Sequence, residues 1–507
     1  MTQPCESRNT YFISSWLFVR LLGLTYLLAF LSAFIEVRGL IGSDGIIPVH
    51  NTLASYLGNN SLDFGRLLAV VLSHPTVFWV ESSDFLLFSV TASGIVLSLL
   101  VFSGICCGPA LLLLWFLYLS IVNVGSVFFA FQWDTLLLEA TLPALFLPIW
   151  KPLDLGWKPT SCAVNRFTVW LYRWLVFRVM FFSGVVKLAK GCIYWSSMTA
   201  LAYYYETQLL PSPVALYAHQ LPMPVQIAST VAAVVIELCG PFLIFLGRRA
   251  RLVAAVGFFL LMALIGLTGN HGYFNALSCV ICLFLIDDHC YLQILEKLKI
   301  PVKRLLPEQA RAESPAASGN RTSRRALIAG LAVVLITLLP EALRFKEYLQ
   351  LPPALASAGR LLSLWGIAGN YGLYETIFPN RSELEFEGSY DRLDWQPYHF
   401  KYKVQELDKT PPFLLLLQPR LDWRLRFAAI GEPEQSPWLK GFLSRLLSGS
   451  PAVAGLLSEN PFKAAPPTYV RVMRYTYNFE TPSQLGISGH WWRRDDAQEF
   501  IEPTDLD

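Results

Sequence analysis

Long apolar runs, broken by short polar turns, fill the first 345 or so residues. A helix that crosses a bilayer needs about 20 mostly apolar residues. The runs of adequate length predict spans at 12–34, 85–107, 109–131, 133–150, 168–190, 225–246, 252–269, 272–288 and 326–343. A shorter run, 64–80, ends in HPTVFWV and reads as interfacial or re-entrant. The first run is too long for a signal-peptide core and lacks a small-residue cleavage site, so it reads as a retained anchor.

After residue 345 the period changes. SELEFEGS (382–389) alternates polar and apolar positions, as a half-buried strand does. HFKYKV (399–404) and TYVRVMRYTYNF (468–479) repeat the signal. Between them PWLKGFLSRLLSGSPAVAGLLS (437–458) has helical character, cut by Gly and Pro into two short helices. The pattern predicts a polytopic α-helical membrane protein of about nine spans. A C-terminal soluble β-rich domain, a sandwich in outline, carries a helical insertion. The expected divisions are a helical transmembrane domain at 1–304, a flexible basic linker at 305–325, a last span at 326–344 and an extracytoplasmic domain at 345–507.

Composition agrees with a membrane protein: 54% of residues are hydrophobic and only 15% charged, against about 25% charged in soluble domains. A formal charge of +3 gives no basis for a nucleic-acid partner. The basic residues gather in loops: Lys151, Lys158 and Arg166; Arg248, Arg249 and Arg251; and Lys297 through Arg325. With the spans above all three groups fall on one side, which the positive-inside rule makes cytoplasmic. The N-terminus is then cytoplasmic and everything after about 344 lies on the opposite side. Nine cysteines show no paired framework, and Cys279 and Cys282 form a CxxC inside the apolar run LSCVICLFL. There they read as core thiols.

Charges within the spans are the candidate chemistry, because an ionisable residue in lipid is expensive and pairs or faces the interior. Arg178 and Glu237 sit near mid-depth on consecutive spans and are expected to pair, with Arg20 at a comparable level as a competitor. Lys187 lies near the end of its span, and Glu139 enters from the same side; these two are expected to meet. Two readings of Lys187 stand side by side. It is an anchor snorkelling to the interface, or a buried amine made basic chemistry's base by desolvation. No HExxH, GxSxG, P-loop or GxGxxG pattern occurs, so no metal site is assigned. Asn270 and His271, in LTGNHGYFN, read as turn residues between two spans, with Gly269 and Gly272 allowing tight geometry. Loop 191–224 is dense in Tyr, Trp and Pro, which suits a membrane interface or a protein-binding surface.

Ten stretches in order along the chain carry a resemblance. Among them are GLIGSDGIIP (39–48), FQWDTLLLEA (131–140), RWLVFRVMFFSGVVKL (173–188), LTGNHGYFN (267–275), NYGLYETIFPNRSELEFEGS (370–389), PPFLLLLQPRLDWRLRFAA (411–429) and PPTYVRVMRYTY (466–477). Through these the chain resembles the lipase maturation factor family. The resemblance implies a membrane protein of the endoplasmic reticulum, or of a bacterial inner membrane if the source is bacterial, with its C-terminal domain on the lumenal or periplasmic side. It implies a folding factor, without cofactor, that helps secreted lipases, especially homodimeric ones, to fold and assemble. Its partners would be the client lipase and membrane lipids. Trp395, Asp422 and Trp423 are then candidates for the client surface. At FSGVVKLAKGCIYWSSM (182–198) the membrane half is also similar to the transmembrane domain of vitamin K-dependent carboxylases. That similarity implies the alternative, a membrane enzyme using a lipid-soluble, quinone-like cofactor with Lys187 as base and Glu139 beside it.

Overall fold

A computed structural model describes residues 10–58, 64–152, 164–297, 299, 324–414 and 417–506. Residues 305–323, most of the expected linker at 305–325, lie outside the described residues. Helix α1 (Phe12–Ile41) has 30 residues, about 45 Å at 1.5 Å per residue, which exceeds the ~30 Å hydrocarbon layer. Its last turns pack on the start of the helix at 84–103, with Phe34 and Phe88 ring centroids 4.7 Å apart, and also support the C-terminal region: Glu36 accepts the Arg420 backbone N–H at 2.9 Å, and Ser32 accepts that of Gln418 at 3.3 Å. Short helices α2 (Val49–Leu57) and α3 (Phe64–Ser73) follow. The latter has ten residues, too few to cross, which agrees with the reading of 64–80 as no span.

Helices α4 (Asp84–Ser103) and α5 (Cys107–Val124) form the next hairpin, and α6 (Gln132–Ala144) comes after it. The expected span at 133–150 requires correction. The helix has only 13 residues and ends about Pro143, and Trp133, Leu136, Leu137, Leu138 and Ala140 are almost wholly buried. Apolar helices of this length are typically core helices, and hydropathy does not distinguish burial in protein from burial in lipid. The turns after α6 still return the chain to the start of α5, where the Cys106 and Gly108 N–H groups donate to Pro152 and Ile149.

The chain continues through α7 (Arg166–Ala189), the short helices α8 (Ile193–Ser196), α9 (Ala200–Thr207) and α10 (Pro213–His219), and the long helices α11 (Met223–Leu243) and α12 (Arg248–Thr268). The run expected as 272–288 breaks into α13 (Phe274–Cys282) with a 3-10 turn, then α14 (Asp288–Lys297), bent by 102°. Two aspartates explain the break. Asp287 pairs with Arg248 at 2.7 Å and Arg251 at 3.2 Å, and Asp288 accepts the first N–H groups of α1, from Phe12 and Ile13, both at 2.9 Å. Cys279 and Cys282 are unpaired in α13. Helices α15 (Arg324–Arg344) and α16 (Pro353–Leu364) complete this half. Seven helices among the described residues are long and apolar enough to cross a membrane, eight if the bent pair counts as one span. Leucines and valines on their outer faces, such as Val256 and Leu260, are more than half exposed, as lipid-facing positions are.

The remaining residues build one main antiparallel sheet and a small two-stranded one, not two large sheets face to face. Strands β1 (Arg381–Ser389), β2 (Gln396–Pro397), β3 (His399–Phe400), β4 (Leu457–Glu459), β5 (Tyr469–Phe479) and β6 (Trp492–Thr504) form a four-stranded sheet, β2-β1-β5-β6, and a separate β3-β4 pair. Helices α17 (Arg420–Ala428), α18 (Trp438–Leu447) and α19 (Pro451–Ala454) lie between β4's partner and β4, and α20 (Pro482–Ser488) joins β5 to β6. Both faces of the larger sheet are covered, one of them partly by the β3-β4 pair, where Phe400 meets Phe386 with ring centroids 5.6 Å apart. Leu384 and Phe386 of β1 point to one face, where Phe386 meets Phe442 of α18 with ring centroids 5.1 Å apart. Tyr477, Phe479 and Trp492 point to the other and pack with Ala215 and Leu216 of α10, from the membrane half. HFKYKV forms a strand only over His399–Phe400. The N–H groups of Tyr402 and Lys403 turn instead to the Asp422 carboxylate, at 3.0 and 2.8 Å.

Candidate functional site

Arg178 and Lys187 of α7 are nine residues apart, two and a half helical turns, so they leave the helix on opposite faces. Each finds a buried carboxylate. Arg178 makes a short hydrogen bond to Glu139 of α6, lies 3.4 Å from Glu341 of α15, and donates to the Gly369 carbonyl at 2.5 Å. Glu139 also accepts the Gly369 N–H at 2.8 Å and the Tyr371 hydroxyl at 2.6 Å. Lys187 donates to both oxygens of Glu237 on α11, at 2.7 and 2.6 Å, and to the Ser183 carbonyl at 3.2 Å.

The expected residues are therefore brought together, but with partners exchanged: Arg178 takes Glu139, and Lys187 takes Glu237. The cause is helix register. Gly184 packs against Glu237 and Leu238, and Phe181 against Phe242, so α7 and α11 run antiparallel. From that level α11 extends about nine residues further than α7, roughly 13 Å at 1.5 Å per residue. Glu237 thus stands opposite the last turn of α7, not its middle. Among the described residues Arg178 and Lys187, not Arg20, pair with these carboxylates; the Arg20 guanidinium lies over the Trp16 ring, 4.5 Å from the centroid. Lys187 does not snorkel to an interface. It is 7% exposed, with the Glu237 carboxylate and the Ser183 carbonyl as acceptors.

The Lys187–Glu237 pair lies at the edge of a cavity of about 440 Å³ between α7, α11 and α12. Most of the lining is aliphatic, and Leu260, Leu264 and Leu267 carry it to the apolar outer surface of α12, where each is more than half exposed. The polar groups converge at the other side: Tyr204 of α9, Tyr374, and His271 in the turn before α13. His271 Nε2 is 2.7 Å from the Tyr374 hydroxyl and 3.3 Å from that of Tyr204. Burial pushes the imidazole down to about 4, so it is neutral at pH 7. The turn is glycine-dependent as expected. Gly272 has φ +55, and a Cβ on Gly269 would stand 1.8 Å from Gln208 Oε1. Asn270 ties the same turn to the C-terminal region, donating to the Pro412 carbonyl at 2.7 Å and accepting the Leu414 N–H at 2.8 Å.

Of the three candidates for a client surface, two are buried. Asp422 is buried, where desolvation raises its pKa, and its carboxylate is occupied by the Tyr402 and Lys403 N–H groups. Trp423 is wholly buried against Trp133, with ring centroids 4.8 Å apart. Both hold structure and offer no surface. Trp395 is half-buried beneath Arg471, whose guanidinium lies 4.3 Å from the ring centroid. The residue missed is Arg420. It reaches from α17 into the membrane half and takes Asp134 of α6 bidentately, at 2.7 and 2.9 Å. Tyr118 and Tyr273 donate to the same carboxylate, at 2.5 and 3.1 Å. The signal lay in the strongly charged RLDWRLR beside an unexplained Asp134 in an apolar helix.

Comparison with known proteins matches this organisation. Residues 13–293 match the lipase maturation factor transmembrane domain, and residues 367–502 the lipase maturation factor C-terminal domain. Lipase maturation factor 2 of Xenopus laevis is 32% identical, over 95% of this chain and 81% of its own length. Lipase maturation factor 2 of Homo sapiens is 31% identical over 97% and 82%, and lipase maturation factor 1 of Homo sapiens 30% over 98% and 89%. No solved structure matches the chain. With both domains matched in order, the chain is an integral membrane protein that belongs to the lipase maturation factor family.

Proposed function

We propose that this protein assists the folding and assembly of secreted lipases, as a folding factor embedded in the endoplasmic reticulum membrane. The observation that carries the reading is the match of both halves, in order, to the two domains of the family. The helical half anchors and orients; the sheet domain, seated on it, meets the client in the lumen. The geometry supports that sidedness. The start of α1 and the basic start of α12 meet at one end of the bundle through Asp287 and Asp288, and the C-terminal region is bonded to the other end of α1 through Glu36 and Ser32. Basic residues favour the cytoplasmic side, which supports a sheet domain on the opposite side.

The test is association during synthesis. In cells expressing the full chain and a homodimeric secreted lipase, pulse-labelled lipase should co-isolate with the chain early and leave it on dimer assembly. A lipase that never co-isolates after in-cell cross-linking, at normal abundance of both proteins, would overturn the reading.

A further inference from the structure

The cavity between α7, α11 and α12 has features that the maturation reading does not use. Its volume of about 440 Å³ falls within the roughly 300–1,000 Å³ of small-molecule sites, far short of a whole two-chain phospholipid. Its lining is mainly aliphatic, and it reaches the lipid-facing surface of α12 through Leu260, Leu264 and Leu267. A ligand therefore enters from the membrane, with its hydrocarbon in the aliphatic part.

The head end is polar but carries no net charge. Lys187 and Glu237 form an ion pair, and among the described residues no other acidic or basic side chain besides His271 lines the cavity. A charged head would have no counter-ion there, and an uncompensated charge in apolar surroundings is costly. Hydrogen bonding is available instead. Tyr204 and Tyr374, whose hydroxyls meet His271, line the space, and so does Asn275, which is 9% exposed. The Asn275 Oδ1 has no hydrogen-bond partner among the described residues. Buried polar atoms are nearly always paired, so an acceptor left open beside a cavity points to a donor on a ligand.

We propose that this cavity binds an uncharged lipid with a single hydrocarbon chain and a hydroxyl-bearing head, of the monoacylglycerol or long-chain alcohol type. The head lies among Asn275, Tyr204 and Tyr374, and the chain runs along α11 and α12 toward the bilayer. The site is independent of the client reading, and its test needs no lipase.

The test uses the purified full chain in nanodiscs and a monoacylglycerol carrying a diazirine in its acyl chain. Labelling should saturate and map to α11 and α12. Unlabelled monoacylglycerol and long-chain alcohol should each compete at least tenfold better than a fatty acid, phosphatidylcholine or an isoprenoid quinone. The Ser229→Trp, Ala233→Trp variant puts bulk on adjacent turns of the cavity wall and should cut labelling at least fivefold, with elution and thermal stability unchanged. If that variant does not fold, Leu264→Trp at the mouth serves the same purpose. Asn275→Leu should reduce the advantage of the hydroxyl lipid over its methyl ether. Labelling that does not saturate, survives the filled variants, or is competed equally by phosphatidylcholine or quinone would overturn the assignment.

Discussion

The Arg420 guanidinium lies bidentate on the Asp134 carboxylate, Nη2 to Oδ1 at 2.7 Å and Nη1 to Oδ2 at 2.9 Å, with both side chains wholly buried. One partner belongs to the C-terminal region and the other to a short helix inside the membrane half. Removing two charges from water costs several kcal/mol per ion, which only good geometry and further hydrogen bonds offset. Phe128, Gln418, Tyr118 and Tyr273 provide those bonds. The pair fixes where the sheet domain sits.

Removing one partner should therefore hurt more than removing both. We expect Arg420→Met and Asp134→Leu each to destabilise the protein by about 3–5 kcal/mol, the usual cost of stranding a buried charge. The double variant should cost much less than the sum, because Tyr118 and Tyr273 are 2.9 Å apart and can bond each other. Thermal unfolding in detergent measures the coupling; additive losses would mean the pair is not one unit.

The Lys187–Glu237 pair gives a parallel case with a functional edge. Lys187→Met leaves a carboxylate buried without its cation, and abundance should fall several-fold. Adding Glu237→Leu should restore abundance to near the original level. If the double variant also retains lipase maturation, Lys187 has no role as a base. Restored abundance with lost function would favour the enzymatic alternative.

His271 predicts how stability responds to acid. Its native pKa is lowered by burial to about 4, below the ordinary 6.5. The unfolded chain then binds more protons, so stability rises with pH. The contribution is fully present above about 6.5 and is lost as pH falls from there toward about 4. Between pH 7 and 5 the loss should be about 2 kcal/mol. His271→Gln should flatten that part of the profile of unfolding temperature against pH; an unchanged profile would contradict the assignment.

Asn270 should report on the seating of the loop before α17. Its side chain accepts the Leu414 N–H and donates to Pro412. Asn270→Ala should cost about 1–3 kcal/mol, as when buried backbone groups lose their partners. Hydrogen exchange at the Leu414 amide should accelerate while exchange in β5 stays unchanged.

Much of this architecture could be read from hydropathy. Runs such as 168–190 and 225–246 matched α7 and α11 closely, and SELEFEGS matched β1. The run at 133–150 misled because Leu136 to Leu138 are buried by protein rather than lipid. The charged residues were also visible: Arg178, Lys187, Glu139 and Glu237 stand out in apolar sequence. Their partners did not, because depth along a span specifies neither the face a side chain leaves by nor the offset between neighbouring helices. The burial of Asp422 and Trp423 was illegible for a similar reason. A short helix rich in charge looks exposed until a long-range partner, here Asp134 for Arg420, draws it inward.

The most direct test of a role in lipase maturation is the ratio of lipase activity to lipase mass in the medium. It is measured in cells that lack their own lipase maturation factors and express a homodimeric secreted lipase. With the full chain restored, we expect the ratio to rise at least fivefold over cells given empty vector, and to fall back with Arg420→Met. A ratio that stays at the empty-vector level, with the chain abundant and folded in the membrane, would contradict the role.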